Sequence, residues 1–151
     1  MTALPADPST NRIRVLIAED EQISRRKLQR QLEQMGPAVD AAIDGRQAWE
    51  MFQADPSPIV ICDWEMPEMT GLELVRKIRE ANNEGYVYIV MLTGKSDTKD
   101  VVAGMEAGAD DFISKPIDRA ELRARLNAGK RIIELEHDLA ASNERLKHEL
   151  A

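Results

Sequence analysis

Several short apolar runs of this sequence end directly in polar side chains that can do chemistry together. The side chains in question are Glu19, Asp20, Glu21, Asp63, Thr93 and Lys115. Crowded carboxylates repel one another and favour a hard divalent cation, so Mg²⁺ is the expected ion, with Mn²⁺ as an alternative. A carboxylate can also attack phosphorus and form an acyl phosphate, while a metal, an ammonium and a hydroxyl stabilise the transferring oxygens. These residue types therefore predict phosphoryl transfer to a carboxylate.

The apolar runs that precede these residues alternate with helical patterns over most of the chain. Strands are predicted to begin near Val15, Ala38, Ile59, Val87 and Asp111, and each is followed by apolar residues at helical spacing. Strict alternation predicts an α/β fold, a flavodoxin-like (βα)5 doubly wound parallel sheet with the strand order 2-1-3-4-5. Ligands of such sheets bind beyond the carboxyl ends of the strands, so the polar residues should converge in one crevice.

The stretch IVICDWEMPEMTG, residues 59–71, contains the most informative of these strand ends. Its β-branched start predicts a strand that is buried on both faces, and Pro67 and Gly71 predict a loop behind it. Asp63 taken alone has the ordinary alternative of ending a strand or capping a turn. Cys62, inside the apolar run, is expected to be a small buried hydrophobic residue rather than a nucleophile.

The fourth helical pattern, over residues 97–107, has an apolar face that its spacing predicts. Val101, Val102 and Met105 recur at helical spacing and are expected to point toward the sheet. Together they would form the buried stripe of this helix.

The last helical pattern runs from Asp118 to Ala151 without a proline and predicts an unusually long helix. At 1.5 Å per residue it would be about 50 Å long, which is more than a small domain can cover. One alternative is a solvated, charged helix, and the other is a two-stranded coiled coil whose core is interrupted by Ser142 and Asn143. The predicted seam of the coiled coil consists of Ile132, Leu135, Leu139 and Leu146.

Composition restricts the partners and the compartment. The chain has 27 acidic and 20 basic residues and a formal net charge of −7, which disfavours binding to nucleic acid. Its single cysteine cannot form an internal disulfide, so a reducing cytoplasm is the expected location. No apolar run reaches the roughly 18 residues that a membrane-spanning helix needs, so no membrane partner is expected. The first residues lack the features of a signal peptide, and residues 1–11 are expected to be a disordered leader.

Four segments together resemble a known family. LIAED, CDWEMPEMTG, MLTG and ISKPID resemble the signature blocks of the response-regulator receiver domain of two-component signalling. The resemblance covers about residues 13–127, so we divide the chain into a receiver domain, residues 12–127, and a coiled-coil linker or dimerisation helix, residues 128–151. It implies a phosphoacceptor domain rather than an enzyme, with a sensor histidine kinase or a phosphotransfer protein as the phosphoryl donor.

The resemblance also implies the phosphoacceptor and the metal ligands. In this family the aspartate at the position of Asp63 accepts the phosphoryl group. The acidic pair that matches Glu19 and Asp20 holds Mg²⁺ together with Asp63 and the backbone carbonyl at the position of Glu65. Glu19 departs modestly from the pattern, because aspartate is also common at that position.

Further roles follow from the same resemblance. The threonine that matches Thr93 and the lysine that matches Lys115 contact the phosphoryl group, and the peptide bond between Lys115 and Pro116 is expected to be cis. Thr93 and Phe112 are the expected switch residues, although Phe112 stands where tyrosine is frequent. The alternative for Phe112 is an ordinary core residue.

Two other functions are open at this point. A phosphohydrolase with an aspartyl nucleophile would need a second aspartate two residues further on, where this chain has Glu65. A phosphorylation-independent dimerisation module would leave the acidic residues without a role.

The last helix resembles linkers that precede PP2C-type phosphatase or diguanylate cyclase output domains, and we favour the phosphatase. It also predicts a homodimer that is joined through the C-terminal helices.

Overall fold

The computed structural model describes residues 13–81, 85–94 and 98–150 of the 151-residue chain. The disordered leader expected over residues 1–11 lies outside these residues.

Five parallel strands form one sheet in the order β2-β1-β3-β4-β5, which confirms the predicted strand order. The strands are β1 (Arg14–Ala18), β2 (Ala38–Ala42), β3 (Ile59–Asp63), β4 (Tyr88–Thr93) and β5 (Asp111–Ser114). β3 and β4, which are completely buried, are the apolar and largely β-branched runs that the sequence contains. Strand register pairs Asp63 with Leu92 and Thr93 with Ser114, so the carboxyl ends of the central strands lie at one edge of the sheet.

Five helices follow the strands and cover both faces of the sheet, as a doubly wound fold requires. They are α1 (Gln22–Gln34), α2 (Gly45–Ala54), α3 (Gly71–Glu80), α4 (Thr98–Ala107) and α5 (Arg119–Leu150). Val15 and Ile17 of β1 point into the core beneath α1 and α5, whereas Leu16 and Ala18 point into the core on the side of α2 and α3. None of the helices in the described ranges is both long enough and apolar enough to cross a membrane.

For α4, the prediction of which residues point toward the sheet is wrong in part. Val102 and Met105 are 47% and 51% exposed, whereas Gly104 and Ala107 are buried. A Cβ atom added to Gly104 would lie 2.5 Å from Cζ of Phe112, so an aromatic side chain already fills the space under this helix. Small residues therefore face inward on α4, and larger apolar residues face solvent.

Helix α5 contains 32 residues and confirms the long C-terminal helix. Ile132 and Ile133 pack against the core of the same chain, so the helix contacts its domain beyond residue 127. The other three seam residues, Leu135, Leu139 and Leu146, are 64%, 58% and 52% exposed. The coiled coil remains a prediction, and the exposed leucines are the surface on which it depends.

Candidate functional site

The three acidic residues after β1 have different local roles. Glu19 is buried, and its Oε2 accepts a hydrogen bond of 3.2 Å from the backbone N–H of Glu21. Glu21 is the N-cap of α1, where its carboxylate accepts hydrogen bonds from the N–H groups of Ile23 and Ser24 at 2.8 and 3.1 Å. These N–H groups lower the pKa of Glu21. Asp20 is exposed and has neither of these structural roles.

A basic side chain of α1 holds the turn that carries the acidic pair. Nη1 of Arg25 donates hydrogen bonds to the carbonyl oxygens of Glu19 and Asp20, at 3.0 and 3.2 Å. Because the guanidinium binds backbone oxygens, it does not itself occupy the carboxylate oxygens of either residue.

Asp63 ends β3 and is buried at the edge of the sheet. The loop behind it turns sharply, with Glu68 in the left-handed conformation at φ 71° and a hydrogen bond of 2.9 Å from Gly71 N to Trp64 O. Gly71 begins α3 directly against the carbonyl of Asp63, where a Cβ atom would collide with that oxygen. The glycine therefore allows α3 to start close beside the aspartate.

Lys115, just beyond β5, reaches both buried carboxylates. Its Nζ lies 2.7 Å from Oδ2 of Asp63 and 2.9 Å from Oε1 of Glu19. Burial lowers the pKa of Lys115, but the hydrogen bonds and charges of Asp63 and Glu19 raise it by more, so the pKa lies above its ordinary value. Backbone N–H of Lys115 also donates to the carbonyl of Thr93 at 2.8 Å, and the bond from Lys115 to Pro116 is cis.

The acidic cluster has the composition and spacing of a divalent-cation site. Glu19, Asp20 and Asp63 each offer a carboxylate oxygen, and these oxygens lie within 4.8 Å of one another. Three oxygen donors suit Mg²⁺, which takes a few carboxylates and keeps water for the rest of its octahedron. The carboxyl ends of β1 and β3, which are neighbours in the sheet, bring the donors together.

A cavity of about 370 Å³ opens beside Asp63. Its lining consists of Asp63, Trp64, Glu65, Thr93, Gly94, Asp100 and Lys115. Thr93 ends β4 and is buried, whereas the side chain of Glu65 is exposed at the mouth. The cavity therefore brings together the carboxylate of Asp63, a hydroxyl and an ammonium, the groups that the strand ends predicted, and its lining adds the acidic residues Glu65 and Asp100.

The sequence did not reveal an aromatic contact beside this cavity. The rings of Trp64 and Phe112 lie 6.5 Å apart between centroids, and Phe112 is half-buried against the core. Gly104 of α4 packs directly against both rings, since an added Cβ atom would lie 2.5 Å from Phe112 and 3.1 Å from Trp64. The tryptophan beside the predicted phosphoacceptor thus touches the predicted switch residue. The available sequence signal was a glycine, Gly104, within the helical pattern of residues 97–107.

Cys62 is buried in β3, one residue before Asp63. Burial, with a smaller contribution from the charge of Asp63, raises the pKa of its thiol to about 12. A thiol that stays protonated at neutral pH is a poor nucleophile, which agrees with the expected hydrophobic role.

The sheet order and the acidic edge of the sheet together define a receiver-type α/β domain, and comparison with known proteins identifies it. Residues 15–127 match the response regulator receiver domain family. The chain therefore belongs to this family, as its signature blocks predicted.

Curated relatives agree with this assignment. The chain is 43% identical over 114 residues to the transcriptional regulatory protein CseB of Streptomyces coelicolor, and the match covers 76% of this chain and 47% of CseB. It is 37% identical over 131 residues to the response regulator MprA of Mycobacterium ulcerans, with 87% of this chain and 56% of MprA covered. The chain thus spans about half the length of these relatives.

Solved structures share the fold. Chemotaxis protein CheY4 of Vibrio cholerae superposes with a TM-score of 0.73 at 29% identity, over 78% of this chain and 98% of CheY4. A probable two-component system response regulator/GGDEF domain protein gives a TM-score of 0.75 at 28% identity, over 81% of this chain and 50% of that chain.

Proposed function

We propose that this receiver domain accepts a phosphoryl group on Asp63 from a sensor histidine kinase or a phosphotransfer protein, with Mg²⁺ bound. The observation that carries the proposal is the contact of 2.7 Å between Asp63 Oδ2 and Lys115 Nζ, next to the carboxylates of Glu19 and Asp20. This arrangement unites a carboxylate nucleophile, an ammonium and metal-ligand oxygens at one edge of the sheet.

The residues divide the chemistry among them. An Asp63 oxygen attacks phosphorus, the phosphorus–nitrogen bond of a phosphohistidine donor breaks, and the imidazole leaves with its bonding electrons. Lys115 offsets negative charge on the transferring oxygens, and the hydroxyl of Thr93 donates to one of them. Glu19, Asp20, Asp63 and the carbonyl of Glu65 would hold Mg²⁺, which supplies further charge neutralisation when bound.

We further propose that phosphorylation changes the surface around Thr93 and Phe112 and that α5 carries the change to an output domain. In this proposal residues 12–127 are the cytoplasmic receiver, and residues 128–151 dimerise through the seam and link it to the output. The names of the relatives point to more than one output, since CseB is called a transcriptional regulatory protein and a structural neighbour carries a GGDEF domain. The PP2C-type phosphatase output stays a prediction.

The phosphohydrolase alternative is less well supported. It needs an acid–base carboxylate two residues after Asp63, but the residue there is Glu65, whose side chain is exposed at the cavity mouth. The dimerisation-module alternative leaves the buried cluster around Lys115 without a use. Burying charged groups is costly unless they are paired, so a module with no phosphoryl chemistry gains little from keeping them.

Acetyl phosphate with Mg²⁺ tests the proposal. The chain should gain one phosphoryl group, about 80 Da by intact mass spectrometry. Asp63→Asn should abolish the adduct, because the amide is not a nucleophile. Asp138→Asn is a control, since Asp138 is an exposed carboxylate on α5. A full adduct on Asp63→Asn would refute the assignment, and turnover of a small phosphoester by the unmodified chain would favour the phosphohydrolase.

A further inference from the structure

Asp100 lines the cavity beside Asp63, yet the assigned phosphoryl chemistry gives it no part. It lies in the first turn of α4 and is half-buried. Gly104 stands four residues further on, and residues at this spacing share one face of a helix. Since an added Cβ atom at Gly104 would lie 3.1 Å from Trp64, which also lines the cavity, this face of α4 is directed at the site.

The carboxylate of Asp100 is available to accept a hydrogen bond from a molecule in the cavity. Within the described residues, its side chain takes part in no hydrogen bond or ion pair. Three of the other polar side chains around the cavity already have assigned roles, since Lys115 and Thr93 donate to phosphoryl oxygens and Asp63 carries the group. The remaining acidic side chain of the lining, Glu65, is exposed at the mouth of the cavity. An attacking water molecule is oriented by donating a hydrogen bond to an acceptor, and this acceptor must be a different group from the one that carries the phosphoryl group.

We propose that Asp100 orients the water molecule that hydrolyses the acyl phosphate of Asp63 and so sets the lifetime of the phosphorylated state. This inference rests on the proposed phosphorylation of Asp63. The carboxylate of Asp100 accepts a hydrogen bond from the water molecule. This hydrogen bond orients the water so that a lone pair of the water oxygen is directed at phosphorus. A bond forms from water oxygen to phosphorus, and the bond from phosphorus to the Asp63 oxygen breaks. Asp63 returns as a carboxylate, and both water protons remain on the released dihydrogen phosphate, so atoms and charge balance.

A structural role for Asp100 has to be separated from this one. An acidic residue in the first turn of a helix interacts favourably with the helix dipole, whatever the nearby chemistry. Glu121 occupies the same third position of α5, does not line the cavity and provides a matched control. Removal of Glu121 should weaken its helix at least as much as removal of Asp100, because Glu121 also forms an ion pair of 3.9 Å with Arg125, whereas only Asp100 should affect hydrolysis.

The experiment follows loss of the adduct after acetyl phosphate has been removed from the labelled chain in Mg²⁺. Asp100→Ala should slow the decay by about tenfold, the size expected when one charge-assisted hydrogen bond to the attacking water is lost. Asp100→Asn should slow it less, because the amide oxygen still accepts a hydrogen bond. Glu121→Ala should decay at the rate of the unmodified chain.

Four outcomes are distinguishable. Slow decay in Asp100→Ala, partial recovery in Asp100→Asn and normal decay in Glu121→Ala support the inference. Unchanged or faster decay in Asp100→Ala overturns it and leaves the phosphorylation of Asp63 intact. Equal slowing by Glu121→Ala also overturns it, since helix stability would then explain the effect. An unmodified chain that takes up no phosphoryl group refutes the proposed function itself.

Discussion

Lys115 Nζ lies 2.7 Å from Asp63 Oδ2, although the two residues are 52 positions apart in the chain. The same ammonium lies 2.9 Å from Oε1 of Glu19, so it neutralises part of the charge of the acidic cluster. A divalent cation bound to that cluster would likewise neutralise part of its negative charge. Lysine and metal should therefore partly substitute for each other in stabilising the fold.

Lys115→Met tests this substitution, because methionine keeps an apolar stem and removes the charge. The free energy of unfolding without Mg²⁺ should fall by about 1–2 kcal/mol, since Lys115 is only partly buried and solvent screens the pair. Added Mg²⁺ should then raise the melting temperature more in the variant than in the unmodified chain. Lys147→Met, at an exposed position of α5, is the control. Equal rises in both chains would contradict the prediction.

Asp20 should matter for metal binding, and its neighbour Glu21 should not. The carboxylate of Glu21 is already occupied by the N–H groups that begin α1, whereas Asp20 belongs to the acidic cluster. Asp20→Asn should weaken Mg²⁺ binding by at least about tenfold, and Glu21→Gln should leave it within about twofold. The probe is the fluorescence of Trp64 in a Trp49→Phe background. Similar weakening by both substitutions would count against this assignment of ligands.

Gly104→Ala should destabilise the domain although alanine is the better helix former. The added Cβ atom would lie 2.5 Å from Phe112, and overpacking of this kind costs about 1–3 kcal/mol, which exceeds the gain in helix propensity of about 1 kcal/mol. Phe112→Leu in the same chain should recover part of the loss, as measured by a double-mutant cycle in urea. Gly94→Ala is the control, because a Cβ atom there meets nothing within 4 Å. Additive effects at positions 104 and 112 would argue against the contact.

Dimerisation through α5 should depend on its exposed leucines. Leu139→Asp combined with Leu146→Asp should give a monomer that still accepts a phosphoryl group, because the acidic cluster belongs to the sheet. Ala141→Asp combined with His148→Asp adds charge at the same seven-residue spacing on the opposite side of the helix and should remain dimeric. Sedimentation at several concentrations measures both. A dimer that survives the leucine substitutions would exclude the predicted seam.

Local patterns in the sequence were enough to predict the fold and the composition of the site. Apolar, largely β-branched runs alternate with helical periodicity, and this alternation is possible only in a small set of parallel α/β folds. Once the strand order is known, residues at strand ends must meet, because parallel strands end at one edge. For this reason Glu19, Asp63 and Lys115 could be grouped before any distance was known.

Tertiary structure alone decided how neighbouring residues divide their tasks. Periodicity predicted Val102 and Met105 to face inward, but the ring of Phe112 fills that space, so α4 turns Gly104 toward the sheet. The position of Asp100 follows from that rotation, and no local pattern contains it. The orientation of a helix is set by how its side chains pack against those of the neighbouring element. A sequence gives the volume of each side chain but does not show which side chains will be in contact.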